Sequence, residues 1–316
     1  MMRIGLTVAA VVAVSLLAAA AWLWTPDKPL RTLEAKYLRS PNDMIEIAGV
    51  RLHVRDDGPK TAPTIIMIHG FGSSLQTWEP WARLLDTRFR VVRFDLPGSG
   101  LSSPDPRGDY TDARTISILL ALMDRLGIAK ASLIGNSIGG RIAWTFAADH
   151  PDRVDKLVLI SPDGFASPGF DYGKPPKVPA TLGLMRYVLP RSLLRASLKP
   201  AYGDPSALTD QTVTRYYDLM LAPGVRQALL TRMKETVLVD PRPRLKRIKA
   251  PVLLLWGERD GMIPFSNARA YLQNLPNARL VSLPDLGHVP QEEAPTRSIE
   301  PVLTFLSEHA PAGSRP

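Results

Sequence analysis

Short apolar runs recur along the chain with amphipathic stretches between them. Thr64 to Ile68, Arg90 to Phe94, Ala131 to Gly135, Val154 to Ile160, Pro251 to Trp256 and Ala278 to Leu283 are such runs, mainly apolar with a few charges at their ends or within them. Such runs fit strands buried on both faces. Met44 to Ala48 and Arg51 to Arg55 flank Gly49 and predict an antiparallel hairpin that starts the sheet. Helical patterns at Trp78 to Leu85, Ala113 to Leu126, Ile138 to Asp149, Ser266 to Gln273 and Pro295 to Ser307 each stand beside a strand. Right-handed crossovers then give an α/β architecture, an eight-stranded, mostly parallel sheet with helices on both faces.

The rhythm breaks from Asp163 to Leu245, which carries many Pro and Arg and has amphipathic stretches at Leu182 to Leu189 and Asp210 to Leu221. This is read as a helical insertion after the sixth strand, entered through a loop at Ser167 to Pro179. The expected organisation is an amino-terminal apolar segment over 1–25, a linker over 26–42, a core formed by 43–162 and 246–310, a helical cap over 163–245, and a frayed tail over 311–316.

Ile4 to Trp24 is 21 residues without a charge. As a helix it is roughly 31 Å long, enough to span a bilayer core. Trp22 and Trp24 suit an interfacial belt, and the expectation is a retained single-span anchor. A cleaved secretory signal is the alternative, since Ala18 to Ala21 offers a cleavage site, although the run is long for a signal. Lys28, Arg31, Lys36 and Arg39 follow the run and bias the remainder toward the cytoplasmic side, a bias that large domains can overcome.

Composition adds exclusions. The chain has 316 residues, 45% hydrophobic and 22% charged, which is too apolar for a disordered protein. The absence of cysteine removes disulfides, thiolate zinc sites, iron–sulfur clusters and a cysteine nucleophile. No cofactor or metal site is read from the sequence. Of the net charge of +9, a large share sits in the insertion, where twelve Lys/Arg stand against seven Asp/Glu. No basic run with interleaved aromatics accompanies it, so the charge reads as a solvated or membrane-facing surface, with a membrane as the expected partner and no nucleic acid.

The chemistry gathers at strand ends. Gly135-Asn136-Ser137-Ile138-Gly139 follows an apolar strand and opens a helical run, the context in which G-x-S-x-G presents a nucleophilic serine on a strained turn. The helix amino terminus and the amide of Ile138 can then stabilise an oxyanion. A serine hydroxyl needs a base, and the base needs a carboxylate to orient it. Asp260 follows the run Pro251 to Trp256, and His288 follows the run after that. His69-Gly70-Phe71-Gly72 ends another strand, and the backbone amide of Phe71 is the expected second oxyanion donor. His69 itself reads as a shaper of that loop. Asp163, after the sixth strand, is a weaker candidate for the acid.

Together, His69-Gly70, the run Asp95 to Ser102, the turn around Ser137, Gly257 to Asp260 and Gly287-His288 resemble the α/β-hydrolase superfamily over roughly Met44 to Leu306. The resemblance implies that fold, a helical cap after the sixth strand, and Ser137, His288 and Asp260 as catalytic triad, with Asp95 structural. Serine at the turn argues against the epoxide hydrolases and haloalkane dehalogenases of the superfamily. The first expected reaction is carboxylic ester hydrolysis of the esterase or lipase kind, with a small-molecule ester or lipid-like substrate as the expected partner. The second is carbon–carbon bond hydrolysis, because the turn Gly135 to Gly140 is similar to that of meta-cleavage product hydrolases. Arg215 falls where their carboxylate-binding arginine would lie, but a surface role is expected for it. The chain also has Phe71-Gly72-Ser73-Ser74 where those enzymes usually have Ser-Gly-Pro-Gly, and Val289 where a Trp commonly follows the histidine. A third reading, a receptor-like protein without turnover, would lack a triad member, and none is missing.

Overall fold

A computed structural model describes residues 23–166 and 171–308, together with Val14, Ser15 and Ala21. Strands β1 (Met44–Ile47) and β2 (Val50–Asp57) form the expected hairpin. Its two-residue turn, Ala48-Gly49, has positive φ at both positions, 50° and 82°. Such turns match the right-handed twist of paired strands. The remaining strands are β3 (Thr64–Ile68), β4 (Arg90–Phe94), β5 (Ala131–Asn136), β6 (Val154–Ile160), β7 (Val252–Gly257) and β8 (Ala278–Leu283). They assemble into one eight-stranded sheet of order β1-β2-β4-β3-β5-β6-β7-β8. β2 runs antiparallel to β1 and β4, and every other neighbouring pair is parallel.

Two-residue alternation sorts the strands into two cores. Ile66 and Ile68 of β3 join Leu133, Leu157 and Leu254 under helices Asp112–Arg125, Ile138–Asp149 and Asn267–Asn274. Ile65 and Met67 face the other way and join Ile134, Val158 and Leu253 under helices Glu79–Leu85 and Pro295–Ser307. Burial on both faces explains why the runs of the central strands β3 to β7 are mainly apolar.

Between β6 and β7 stand a 3-10 helix, Ala180–Arg186, and helices Arg191–Leu198, Asp210–Met220, Val225–Glu235 and Arg242–Leu245. Leu189, Leu194, Tyr216, Leu219 and Leu229 form a third apolar cluster there. Helix Asp210–Met220 starts where the Thr209 side chain accepts from the amide of Thr212 at 3.1 Å, a regular amino-terminal cap.

The stretch expected as a linker differs. Leu30–Tyr37 is a helix, and Leu33, 1% exposed, is part of the third cluster. Lys28, Lys36 and Tyr37 all bond the carboxylate of Asp218, at 2.6, 2.7 and 2.7 Å. Asp27 accepts from Arg226 at 2.6 Å, and Glu34 from Arg51 at 3.0 Å. The segment therefore straps the insertion to the core. Its polar composition hid this because one buried leucine and paired charges hold it, without a continuous apolar stripe.

Most of Ile4 to Trp24, residues 167–170 of the expected loop and the tail lie outside the described residues. Among the described residues no helix is long and apolar enough to cross a membrane.

Candidate active site

The carboxyl ends of the parallel strands bring the candidate residues together. Ser137 sits between β5 and helix Ile138–Asp149 with φ 57° and ψ −122°. A side-chain-bearing residue adopts a positive φ only at a cost of about 1–3 kcal/mol, so surrounding contacts must impose it. They do: a Cβ on Gly139 would lie 2.2 Å from the carbonyl oxygen of Ile68, so only glycine lets the helix press against β3. The amide of Ser137 donates to Ile160 on β6 at 3.0 Å, and its carbonyl accepts from Asp163 at 3.0 Å.

The loop after β3 closes on the same point. A Cβ on Gly70 would come within 3.2 Å of the Ser137 Cβ. Phe71 follows directly, and among the described residues neither its amide nor that of Ile138 has a protein acceptor. Two free N–H groups near a serine at a helix amino terminus have the chemistry to receive a developing oxyanion. His69 shapes this loop: its Nε2 accepts from the Leu96 amide at 2.9 Å, and its Nδ1 lies 2.8 Å from the Gly70 carbonyl. Burial holds its pKa below the ordinary histidine value, in keeping with a neutral ring. Asp95 is fully buried and accepts from the amides of Leu75 and Leu101 and from His53. Burial would raise its carboxyl, but His53 and these bonds outweigh it and hold the pKa below the usual range.

His288 Nδ1 lies 2.7 Å from Asp260 Oδ2. The Asp260 side chain is wholly buried, and its other oxygen accepts from the amides of Met262 and Ile263, both at 2.8 Å. The carboxylate is thus fixed, and it directs His288 to keep its proton on Nδ1, leaving Nε2 as the free acceptor. Asp163 instead pairs with Arg141, which also holds Asp112, and so is engaged away from the histidine. Among the described residues no hydrogen bond joins the Ser137 hydroxyl to His288. Such bonds often tighten only with substrate bound. The link between the two is Asn136, whose Nδ2 donates to the His288 carbonyl at 2.9 Å and to Ile160 at 3.2 Å. Its place beside the serine was the only sequence signal for that role. Among the described residues no three His, Asp or Glu side chains gather into a metal-binding cluster.

A second polar cluster went unseen in the sequence. Arg215 is not a surface residue: its side chain is 21% exposed, and it donates to Glu292 at 2.7 Å. Glu292 also accepts from Tyr202 at 2.8 Å and Tyr216 at 3.1 Å. Burial opposes the Arg215 charge, but Glu292 outweighs it and holds the pKa above the usual range. Burial and the same carboxylate push both tyrosines up.

Comparison with known proteins fits this arrangement. The family model for the alpha/beta hydrolase fold matches residues 63–295. The chain belongs to the α/β-hydrolase family. It is 30% identical over 273 residues to a 2-hydroxy-6-oxo-6-phenylhexa-2,4-dienoate hydrolase of Burkholderia cepacia, covering 83% of this chain and 93% of that one. Among solved structures, this hydrolase resembles an enol-lactonase from Burkholderia xenovorans LB400, with TM-score 0.73 and 27% identity over 84% of this chain and 100% of the other. It also resembles a bacterial membrane phospholipase A, with TM-score 0.70 over 97% of this chain and 98% of the other. At 24% identity that last likeness shows the fold alone.

Proposed function

We propose that this α/β hydrolase cleaves a carboxylic ester through an acyl-enzyme formed on Ser137. His288 Nε2 takes the proton of the Ser137 hydroxyl, and the oxygen attacks the ester carbonyl carbon. The amides of Phe71 and Ile138 receive the oxyanion. Collapse expels the alkoxide, which His288 protonates. Water, deprotonated by the same nitrogen, then releases the carboxylic acid and restores Ser137. Asp260 stabilises the imidazolium at each stage.

The observation that favours an ester is the Arg215–Glu292 pair. A dienoate substrate would need a cation for its carboxylate. At Arg215 it would share the guanidinium with a carboxylate already bonded there and enclosed by two tyrosines. The second reading, carbon–carbon hydrolysis, is favoured by the named relatives, whose printed activities agree with it better than with ester cleavage. The test sets a p-nitrophenyl ester series, acetate to palmitate, against 2-hydroxy-6-oxo-6-phenylhexa-2,4-dienoate, with Ser137→Ala as control. Ester turnover lost in the control supports the proposal. Dienoate turnover without ester turnover overturns it in favour of the second reading.

The proposal extends to a lipid-like substrate met at a membrane, with Ile4 to Trp24 as the anchor. Its support is the uncharged run itself and the point where it ends. Trp24 stacks on Tyr187 of the insertion at 5.5 Å, close in sequence to exposed Leu182, Leu184 and Leu193. Membrane fractionation of the full chain and of one lacking residues 1–24 tests this. Equal sedimentation of both refutes the anchor.

A further inference from the structure

Glu293 ends the short helix Pro290–Glu293, five residues after His288. Its carboxylate gathers three backbone amides from two distant parts of the chain. One oxygen accepts from Gly287 at 2.8 Å and from Gly203 at 3.1 Å, and the other accepts from Asp204 at 2.7 Å. Gly287 immediately precedes His288, whereas Gly203 and Asp204 belong to the insertion between β6 and β7.

The same stretch of the insertion is laced to both loops of the candidate triad. The Ala201 carbonyl accepts from the amides of His288 at 2.8 Å and Val289 at 3.3 Å. The Pro200 carbonyl accepts from Gly261, the residue after Asp260, at 3.0 Å. The fit has no slack, because a Cβ on Gly203 would lie 2.4 Å from the Asp285 carbonyl oxygen. The insertion is therefore the back wall of the histidine loop.

We infer that Glu293 is a positioning residue for His288, using the backbone of Gly203 and Asp204 to hold the histidine loop in register with Asp260. The inference rests on the triad proposed above. Bonds from amides to a carboxylate are among the stronger hydrogen bonds, and three of them converge on this side chain. A neutral amide at this position offers one oxygen, and its NH2 group would face a backbone N–H. The loop then relaxes, and the imidazole loses part of its bond to Asp260. An imidazolium held less well gives up its proton at lower pH, so the acid limb of the reaction moves down while the rate falls.

The test uses the full chain, Glu293→Gln and Glu293→Asp, and a fluorophosphonate probe. The probe reports activation of Ser137 whichever bond the enzyme cleaves. Labelling rates are measured from about pH 5 to about pH 9. For Glu293→Gln the expected result is labelling between about tenfold and a hundredfold slower, the range set by small misplacements of catalytic groups, with the acid limb at lower pH. Glu293→Asp, one methylene shorter but still charged, moves the limb the same way by less, and it carries the test if the glutamine variant does not fold. A lowered melting temperature with an unmoved acid limb means a merely structural role and overturns the inference. No labelling of the wild-type chain overturns the triad itself, and the inference with it.

Discussion

Replacing Asp260 by Asn tests the reading of the site most directly, because the structure fixes how the new side chain must sit. One oxygen of Asp260 accepts two amides, from Met262 and Ile263, at 2.8 Å each. Asparagine has a single oxygen, and turning its NH2 group toward those amides would leave two donors facing a donor. The side chain is therefore held with its oxygen on the amides and its NH2 toward His288 Nδ1, where the carboxylate oxygen stands at 2.7 Å. The NH2 group can only donate. Nδ1 must then accept, the imidazole proton moves to Nε2, and the nitrogen that should take the Ser137 proton is already occupied. Wrong-tautomer variants of serine proteases lose about 10⁴-fold in rate, or about 5.5 kcal/mol of transition-state stabilisation. A loss of that order is expected here. The assay is the rate of p-nitrophenyl ester turnover, or of fluorophosphonate labelling if esters are not substrates, with circular dichroism to show that the fold is kept. A folded Asp260→Asn chain within about tenfold of wild type would refute the assignment of Asp260 as partner of the base.

Two further outcomes concern stability. Gly139→Ala places a methyl group 2.2 Å from the Ile68 carbonyl and should destabilise by about 1–3 kcal/mol or more, read as a melting temperature several degrees lower; an unchanged melting temperature would contradict the close helix–strand contact. His69 has its folded pKa depressed by burial below the ordinary 6.5, so the unfolded chain binds its proton first, and stability present above about pH 6.5 is lost as the pH falls through and below that value. Melting temperatures of wild type and His69→Gln across this range should converge on acidification, and parallel curves would exclude His69 as the source.

The central strands β3 to β7 were legible because they are buried on both faces, so that composition alone marked them to within two or three residues; the edge strand β8 is only half-buried. The turn at Ser137 and the loops carrying Asp260 and His288 were legible for another reason: their chemistry depends on spacing between neighbours in sequence. What escaped notice depends on partners far away. Arg215 meets Glu292, and Glu293 meets Gly203 and Asp204, across 77 to 90 positions, and nothing local distinguishes those glutamates from surface charge. Helix Val225–Glu235 was not singled out because Arg226 and Arg232 interrupt its apolar pattern; both are buried, Arg226 against Asp27 and Arg232 against the carbonyls of Tyr110 and Pro97. The positive charge of the insertion is correspondingly less available to an outside partner than its count suggested.

The strap formed by Leu30–Tyr37 changes where this protein can be cut. A boundary drawn from hydrophobic pattern alone falls just before β1, and a chain trimmed there would keep every strand and every candidate catalytic side chain. It would also lose Leu33 from the apolar cluster of the insertion and all three hydrogen-bond donors to Asp218, two of them the lysines that neutralise it. The insertion carries the wall behind His288, so damage begun more than two hundred residues earlier in the sequence would surface as a slow enzyme. A cut that keeps these contacts lies ahead of Asp27, and the residues that look most dispensable are the ones that hold the insertion in register.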